Sequence, residues 1–231
     1  MPKDKLFEKD IQNRFFDILI DQKSSFENTP INVYQKLVYG RYEEVLINSL
    51  PLFVKEVSAS KFQKSIKEFM KKTPTTTFVW QIPNDYRKMT KKHKIFHKKA
   101  YLYELMYYDW IEIELYMKEY ELGKHKKFSF KKSYSLSHSS RIKKFKYDLI
   151  NGKFKDKREN FLIIYYDFKS DDIIYREINE LIYVLLKRVN KKESISKTLK
   201  QLCIENEIDF KEAKSLLKEP LSELYLNRVL I

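Results

Sequence analysis

The sequence predicts an α+β protein with an all-α helical domain over residues 1–121 and a small winged-helix α+β domain over residues 122–231. Three observations carry this reading. Apolar residues recur at helical spacing to about Glu121; alternation and short β-branched runs take over between Leu122-Gly123 and Arg176; helical spacing then returns. With 231 residues and 43% hydrophobic side chains, the chain is long and apolar enough to bury two cores, which excludes wholesale disorder.

In the first half, Phe7, Ile11, Phe15, Ile18 and Leu19 space one helix, and the turn-rich stretch from Lys23 to Pro30 ends it. Thr29-Pro30 opens a second helix as N-cap and first helical residue. Its expected buried side is Val33, Tyr34, Leu37, Val38, Tyr42, Val45, Leu46 and Leu50, and Pro51 kinks or ends it. Ser58 or Ser60 caps a third helix carrying Phe62, Ile66, Phe69 and Met70. Thr73 to Thr77 is turn material, and Phe78 to Pro83 reads as an extended plug. The strongest helix runs from about Lys98 to Glu121, with Tyr101, Leu102, Leu105, Met106, Trp110, Ile113 and Met117 inward and Glu104, Asp109, Glu112 and Glu114 on the remaining surface.

In the second half, Phe128, Phe130, Tyr134 and Leu136 alternate, and Phe161 to Tyr166 is a β-branched and aromatic run, so both read as strands. Ile173 to Arg176, set off by Asp171-Asp172, is the third. Helices follow at 178–189, 195–206 and 210–217, and Pro220 breaks the last or starts a further segment. Strands followed by three short helices give the winged-helix layout.

Forty-six Lys and Arg against 32 Asp and Glu leave a net charge of +14. Only eight of the cations are Arg, and the Lys, Ile, Phe and Tyr bias with just three Ala resembles an AT-rich genome. Lysine suits diffuse attraction better than the forked recognition of phosphate or guanine that Arg provides. The excess is local: Tyr86–Lys99 holds seven cations and no acid, and Lys118–Asn160 holds fourteen cations against five acids. A solvated charged face is the plain explanation of both; a polyanionic partner is the functional one. The candidate basic surface is Lys91, Lys92, Lys94, Lys98 and Lys99 together with Lys126, Lys127, Lys131, Lys132, Arg141, Lys143 and Lys144.

The three glycines, Gly40, Gly123 and Gly152, form neither a dinucleotide turn nor a phosphate loop, so nucleotide chemistry of those two classes is excluded. His93 and His97 are spaced to share a metal on a helix face, but five lysines surround them and no HExxH is present. Glu104, Asp109, Glu112 and Glu114 lack an accompanying ExxH spacing, no nucleophile elbow occurs, and Cys203 sits in an apolar helical pattern as a core residue. No catalytic residue, metal ligand or cofactor is assigned, and the chain is read as non-enzymatic. The charged Met1–Asp17, apolar runs of at most six residues and a lone cysteine predict a cytoplasmic protein with no membrane association.

Several blocks over residues 10–117 carry a resemblance. They are Val33-Tyr34-Gln35-Lys36-Leu37-Val38 leading through Glu43-Glu44-Val45-Leu46 to Ser49-Leu50-Pro51-Leu52-Phe53; Pro74, Phe78, Trp80-Gln81-Ile82-Pro83 and Tyr86; and Tyr103 to Glu112, with Asp109-Trp110 at its centre. Together they resemble the HvfC/BufC family, whose N-terminal domain has long carried a DNA-binding label. The C-terminal order, Ile173–Arg176, then Ile178–Leu186, Ile195–Leu202 and Phe210–Leu217, is similar to PqqD-like peptide-recognition modules. The stretch Lys144 to Asp148 departs from that pattern in lacking a proline, so the resemblance does not support strands before residue 160.

The resemblance implies a non-catalytic partner of a multinuclear non-heme iron oxidative enzyme that acts on ribosomally made precursor peptides. A strand edge and a neighbouring helix would hold such a peptide. Layout places that edge at Ile173, Ile174, Tyr175 and Arg176, flanked by Leu216 and Leu217. The competing expectation is a DNA-binding transcriptional regulator, resting on the charge, the winged-helix layout and the family label.

Overall fold

The computed structural model describes residues 10–12, 14, 15, 17–19, 29–72, 78–121 and 127–231. Helices and one three-stranded antiparallel sheet make the chain α+β. It packs as two compact units, Met1–Trp110 and Ile111–Ile231, with the division inside the helix Tyr101–Tyr116. No described helix is long and apolar enough to cross a membrane. Phe7, the turn Thr73 to Thr77, Leu122-Gly123, His125 and Lys126 lie outside the described residues.

The first unit contains α1 (Pro30–Ser49), α2 (Pro51–Glu56), α3 (Ala59–Lys72), α4 (Ile82–Lys92) and the first part of α5 (Tyr101–Tyr116). Pro30, Pro51 and Pro83 each stand in a first turn, where a missing N–H leaves no helical bond unmade. Pro51 thus starts a new helix after the break at Leu50. The core is aromatic: Phe53 lies edge-to-face on Phe96 at 5.3 Å and on Tyr86 at 6.0 Å, and Phe69 on Tyr86 at 5.5 Å. Edge-to-face pairing adds to burial because the ring edge is positive and the face negative.

Four expectations for this unit are corrected. Val33, Tyr34 and Leu37 are 53–64% exposed, because α1 buries only its C-terminal half, at Val45 and Leu46, together with Gln35, whose amide donates to the Ile18 carbonyl at 2.8 Å. Residues 79–81 form a 3-10 turn running into α4, where an extended plug was expected. The long helix begins at Tyr101, after a separate 3-10 turn at His97–Lys99, and ends at Tyr116, leaving Met117 exposed. Asp109 points inward and accepts the Phe53 amide at 3.0 Å, and was not the surface acid expected.

In the second unit, β1 (Ser140–Asp148), β2 (Lys153–Asp167) and β3 (Asp172–Ile178) lie in the order β1-β2-β3, so β2 is central. Helices α6 (Glu180–Arg188), α7 (Ile195–Glu205) and α8 (Phe210–Leu226) follow, N-capped by the side chains of Asn179, Ser194 and Asp209. Ile163, Tyr165 and Ile178 share a core with Ile182, Leu185, Leu199, Leu202, Leu217 and Leu221. Leu162 and Ile164, pointing the other way, are also fully buried, which explains the continuous apolar run of β2.

Three corrections apply here too. Residues 128–136 form no strand; they make single bridges, Ser133 to Ser194 and Leu136 to Leu230, while Phe128, Phe130 and Tyr134 stack around Tyr225. Their alternation reflects aromatic plugging onto α8. A strand does run through Lys144–Asp148, paired with the lysine-rich start of β2. Finally, α8 continues through Pro220, whose ring displaces one helical bond without ending a helix anchored by Leu217, Leu221 and Leu224 on the core.

Candidate functional site

β3 lies at one side of the sheet because β2 pairs it at Asp167–Asp172 through Phe161–Ile178 and β1 takes the opposite flank. The turn between β2 and β3 is fixed by Asp167, which accepts from the Lys169 amide at 3.3 Å and the Ser170 hydroxyl at 2.9 Å. Burial opposes the Asp167 charge, but these bonds and the Lys169 ammonium outweigh it and hold the carboxyl below its ordinary pKa. Asp171 adopts φ 56, and the Tyr166 hydroxyl donates to its carboxylate.

The direction of the backbone follows from one bond. The Tyr166 amide donates to Ser139 at 3.0 Å, away from β3, so Tyr166 and Ile173 are a non-bonded pair. By alternation Ile174, Arg176 and Ile178 bond to β2, while Ile173, Tyr175 and Glu177 direct their backbone groups to the outer side. The Ile173 amide is taken by the Asp172 carboxylate at 2.7 Å.

Helix α8 flanks this strand. Arg176 pairs with Glu223 at 2.8 Å, and Asn227, just past the helix, donates to the Tyr165 hydroxyl at 3.3 Å. Leu216, Glu223 and Asn227 fall seven and eleven residues apart, so they share one stripe. Leu216 is 69% exposed on that stripe, whereas Leu217 is 2% exposed and seats α8 in the core. Ile173 is buried; Ile174, Tyr175 and Arg176 are half-buried. The sequence reading missed Glu223 and Asn227 because it stopped the helix at Leu217, before Pro220. The seven-residue spacing from Leu216 was the available signal.

The basic residues separate into two kinds. Lys91, Lys92, Lys94, Lys98 and Lys99 are exposed and make no ion pair among the described residues. Lys127, Lys131 and Lys132 are exposed before β1. On β1, Arg141 pairs with Glu114 at 3.0 Å and Lys144 with Glu159 at 2.9 Å, its ammonium 5.3 Å from the Phe161 ring centre; Lys143 is half-buried. Glu114 also accepts Lys118 at 2.5 Å; burial opposes its charge, but the two cations prevail and its pKa lies below the ordinary value.

His93 and His97 do not share a helix face, because α4 ends at Lys92 and Lys94 turns left-handed at φ 53. Among the described residues no group of three His, Cys, Asp or Glu side chains could hold a metal. Burial raises the Cys203 thiol pKa, with the Asp209 charge adding to it. The exposed residues of α8 balance Lys211, Lys214 and Lys218 against Glu212, Glu219 and Glu223, so this helix offers a duplex groove no positive excess. Compared with known proteins, the sequence matches no family model and no curated protein.

Proposed function

We propose that the chain is a non-catalytic adaptor that binds an extended ribosomally made precursor peptide along β3 and presents it to a multinuclear non-heme iron oxidative enzyme. Membership of the HvfC/BufC family and a PqqD-like character of the second unit are part of this proposal. The observation that supports it is the position of β3, at the side of the sheet and joined to α8 by the Arg176–Glu223 pair, on a helix that also exposes Leu216. An added strand gains register from the backbone of Glu177 and the carbonyl of Ile173, whose amide is already held by Asp172, while specificity comes from side chains seated against the flanking helix. The Arg176–Glu223 pair, partly exposed, opens at little cost to admit a peptide, since such surface pairs contribute about 0–1 kcal/mol.

The test is co-purification from a host expressing this chain with its neighbouring genes, followed by mass spectrometry of what stays bound at moderate salt. Retention of an iron enzyme or a small precursor peptide is expected. Leu216→Glu, at an exposed position, leaves the melting temperature unchanged and weakens the peptide by about tenfold, the loss of one buried leucine contact. Recovery of nucleic acid alone would overturn the proposal and favour a DNA-binding regulator.

A further inference from the structure

The net charge of +14 is answered by acids unevenly along the chain. On the β1–β2 hairpin, Arg141, Lys144 and Arg158 are neutralised by Glu114, Glu159, Asp148 and Glu177. At the corner between α4 and α5 no acid occurs from Tyr86 to Lys99, and Lys91, Lys92, Lys94, Lys98 and Lys99 all stand exposed without an ion pair among the described residues. Lys127, Lys131, Lys132, Lys153 and Lys157 are also exposed and unpaired among the described residues, but in the second unit acids are interspersed with the cations, whereas this corner holds five such lysines within nine residues and no acid.

The corner is also preformed. Lys94 donates its amide to Lys91 at 3.2 Å, Ile95 to Thr90 at 3.0 Å, His97 to Lys94 at 3.2 Å and Lys99 to Phe96 at 2.9 Å. Phe96, fully buried against Phe53, anchors it, and the Phe96 amide donates to the Tyr103 hydroxyl at 3.0 Å. Lys61 on α3 adds a sixth cation, its ammonium 5.2 Å from the Phe96 ring centre. Like charges clustered on a preformed turn repel one another, and a polyanion relieves that repulsion without ordering the backbone.

We infer that the α4–α5 corner docks a carboxylate-rich protein surface. The chemistry selects carboxylates over nucleic acid. The corner lysines are point charges, and the neighbouring Arg87 is held over the rings of Tyr107 and Trp110 at 5.3 and 4.5 Å. The one aromatic of the turn, Phe96, is buried, so bases find no ring to stack on. Identifying the partner as the iron enzyme rests on the adaptor reading; the preference for carboxylates does not.

The test measures fluorescence anisotropy of a labelled poly-glutamate peptide and of a mixed-sequence DNA duplex with the full chain at low and near-physiological salt. Lys91→Glu, Lys92→Glu, Lys98→Glu and Lys99→Glu are combined, and Lys94, the left-handed residue of the turn, is left unchanged. The combined variant is expected to weaken poly-glutamate by about tenfold or more, chiefly through slower association, while Lys153→Glu with Lys157→Glu on the hairpin changes it by less than about twofold. The same four positions as Gln give an intermediate loss and guard against misfolding. Unchanged poly-glutamate binding overturns the inference, as does a larger loss for the duplex than for poly-glutamate. Precursor association is followed in parallel: its absence in the wild type with the corner effect intact refutes the adaptor alone, and its survival with no corner effect refutes the corner alone.

Discussion

Asp109 shows how a single charged side chain organises the first unit. Its carboxylate takes the amide of Phe53, one of the orphan donors in the first turn of α2, from across the core. Asp109→Leu leaves that donor buried and is expected to cost about 1–3 kcal/mol in urea unfolding, whereas Asp109→Asn keeps an acceptor and costs less. Glu114 makes a different prediction. Its folded pKa lies below the ordinary 4.5, so the stability from Lys118 and Arg141 is present above that value and lost as pH falls through the folded pKa. Urea midpoints measured between about pH 6 and pH 3 should fall in the wild type and fall less steeply in Glu114→Gln, the remaining slope coming from Asp148 and Asp167, whose carboxyls are also held below their ordinary pKa. Cys203, buried with a raised pKa, is expected to react with a thiol reagent only after unfolding.

At the scale of elements, helices were legible where their period ran into a core. Phe62, Ile66 and Phe69 mark α3, and Ile182, Leu185 and Leu186 mark α6, in sequence and structure alike. Elements defined by partners were less so. β1 reads as Ser-Arg-Ile-Lys-Lys-Phe-Lys-Tyr-Asp, and only pairing with β2 makes it a strand. The alternation at 128–136 was real but served aromatic packing on Tyr225. Pro220 was taken as a stop, yet tertiary anchoring carries α8 past it. Pro220→Ala restores a backbone bond to the Leu216 carbonyl and is expected to raise stability by about 1–3 kcal/mol in thermal unfolding.

At the scale of the whole molecule, the helix α5 belongs to both compact units, and the second of them begins at Ile111. Within that unit Glu114 pairs with Arg141, and Tyr116 and Tyr120 lie 6.3 and 5.6 Å from Tyr166. A fragment of residues 122–231 lacks these partners and should unfold at lower urea than one of residues 101–231, by about 2 kcal/mol or more, since it also forfeits the buried Ile111 and Leu115. The candidate edge was legible in part: Ile173 to Arg176 was visible as a strand, but that it lies at the side of the sheet depends on which flank β1 occupies. Likewise the lysine stretches were plain in the sequence, while their division into paired and unpaired sets was not.

Local periodicity and side-chain polarity, which act over a few residues, were enough to read the α+β class, α1, α3 and α5 in the first half, the third strand and the burial of Cys203. The sheet order, the path of α8 through Pro220, the inward turn of Asp109 and which cations find acid partners were set by tertiary packing. Each of these depends on groups far apart in the chain meeting in space, as Phe53 meets Asp109 and Arg176 meets Glu223, and no local pattern encodes such a meeting.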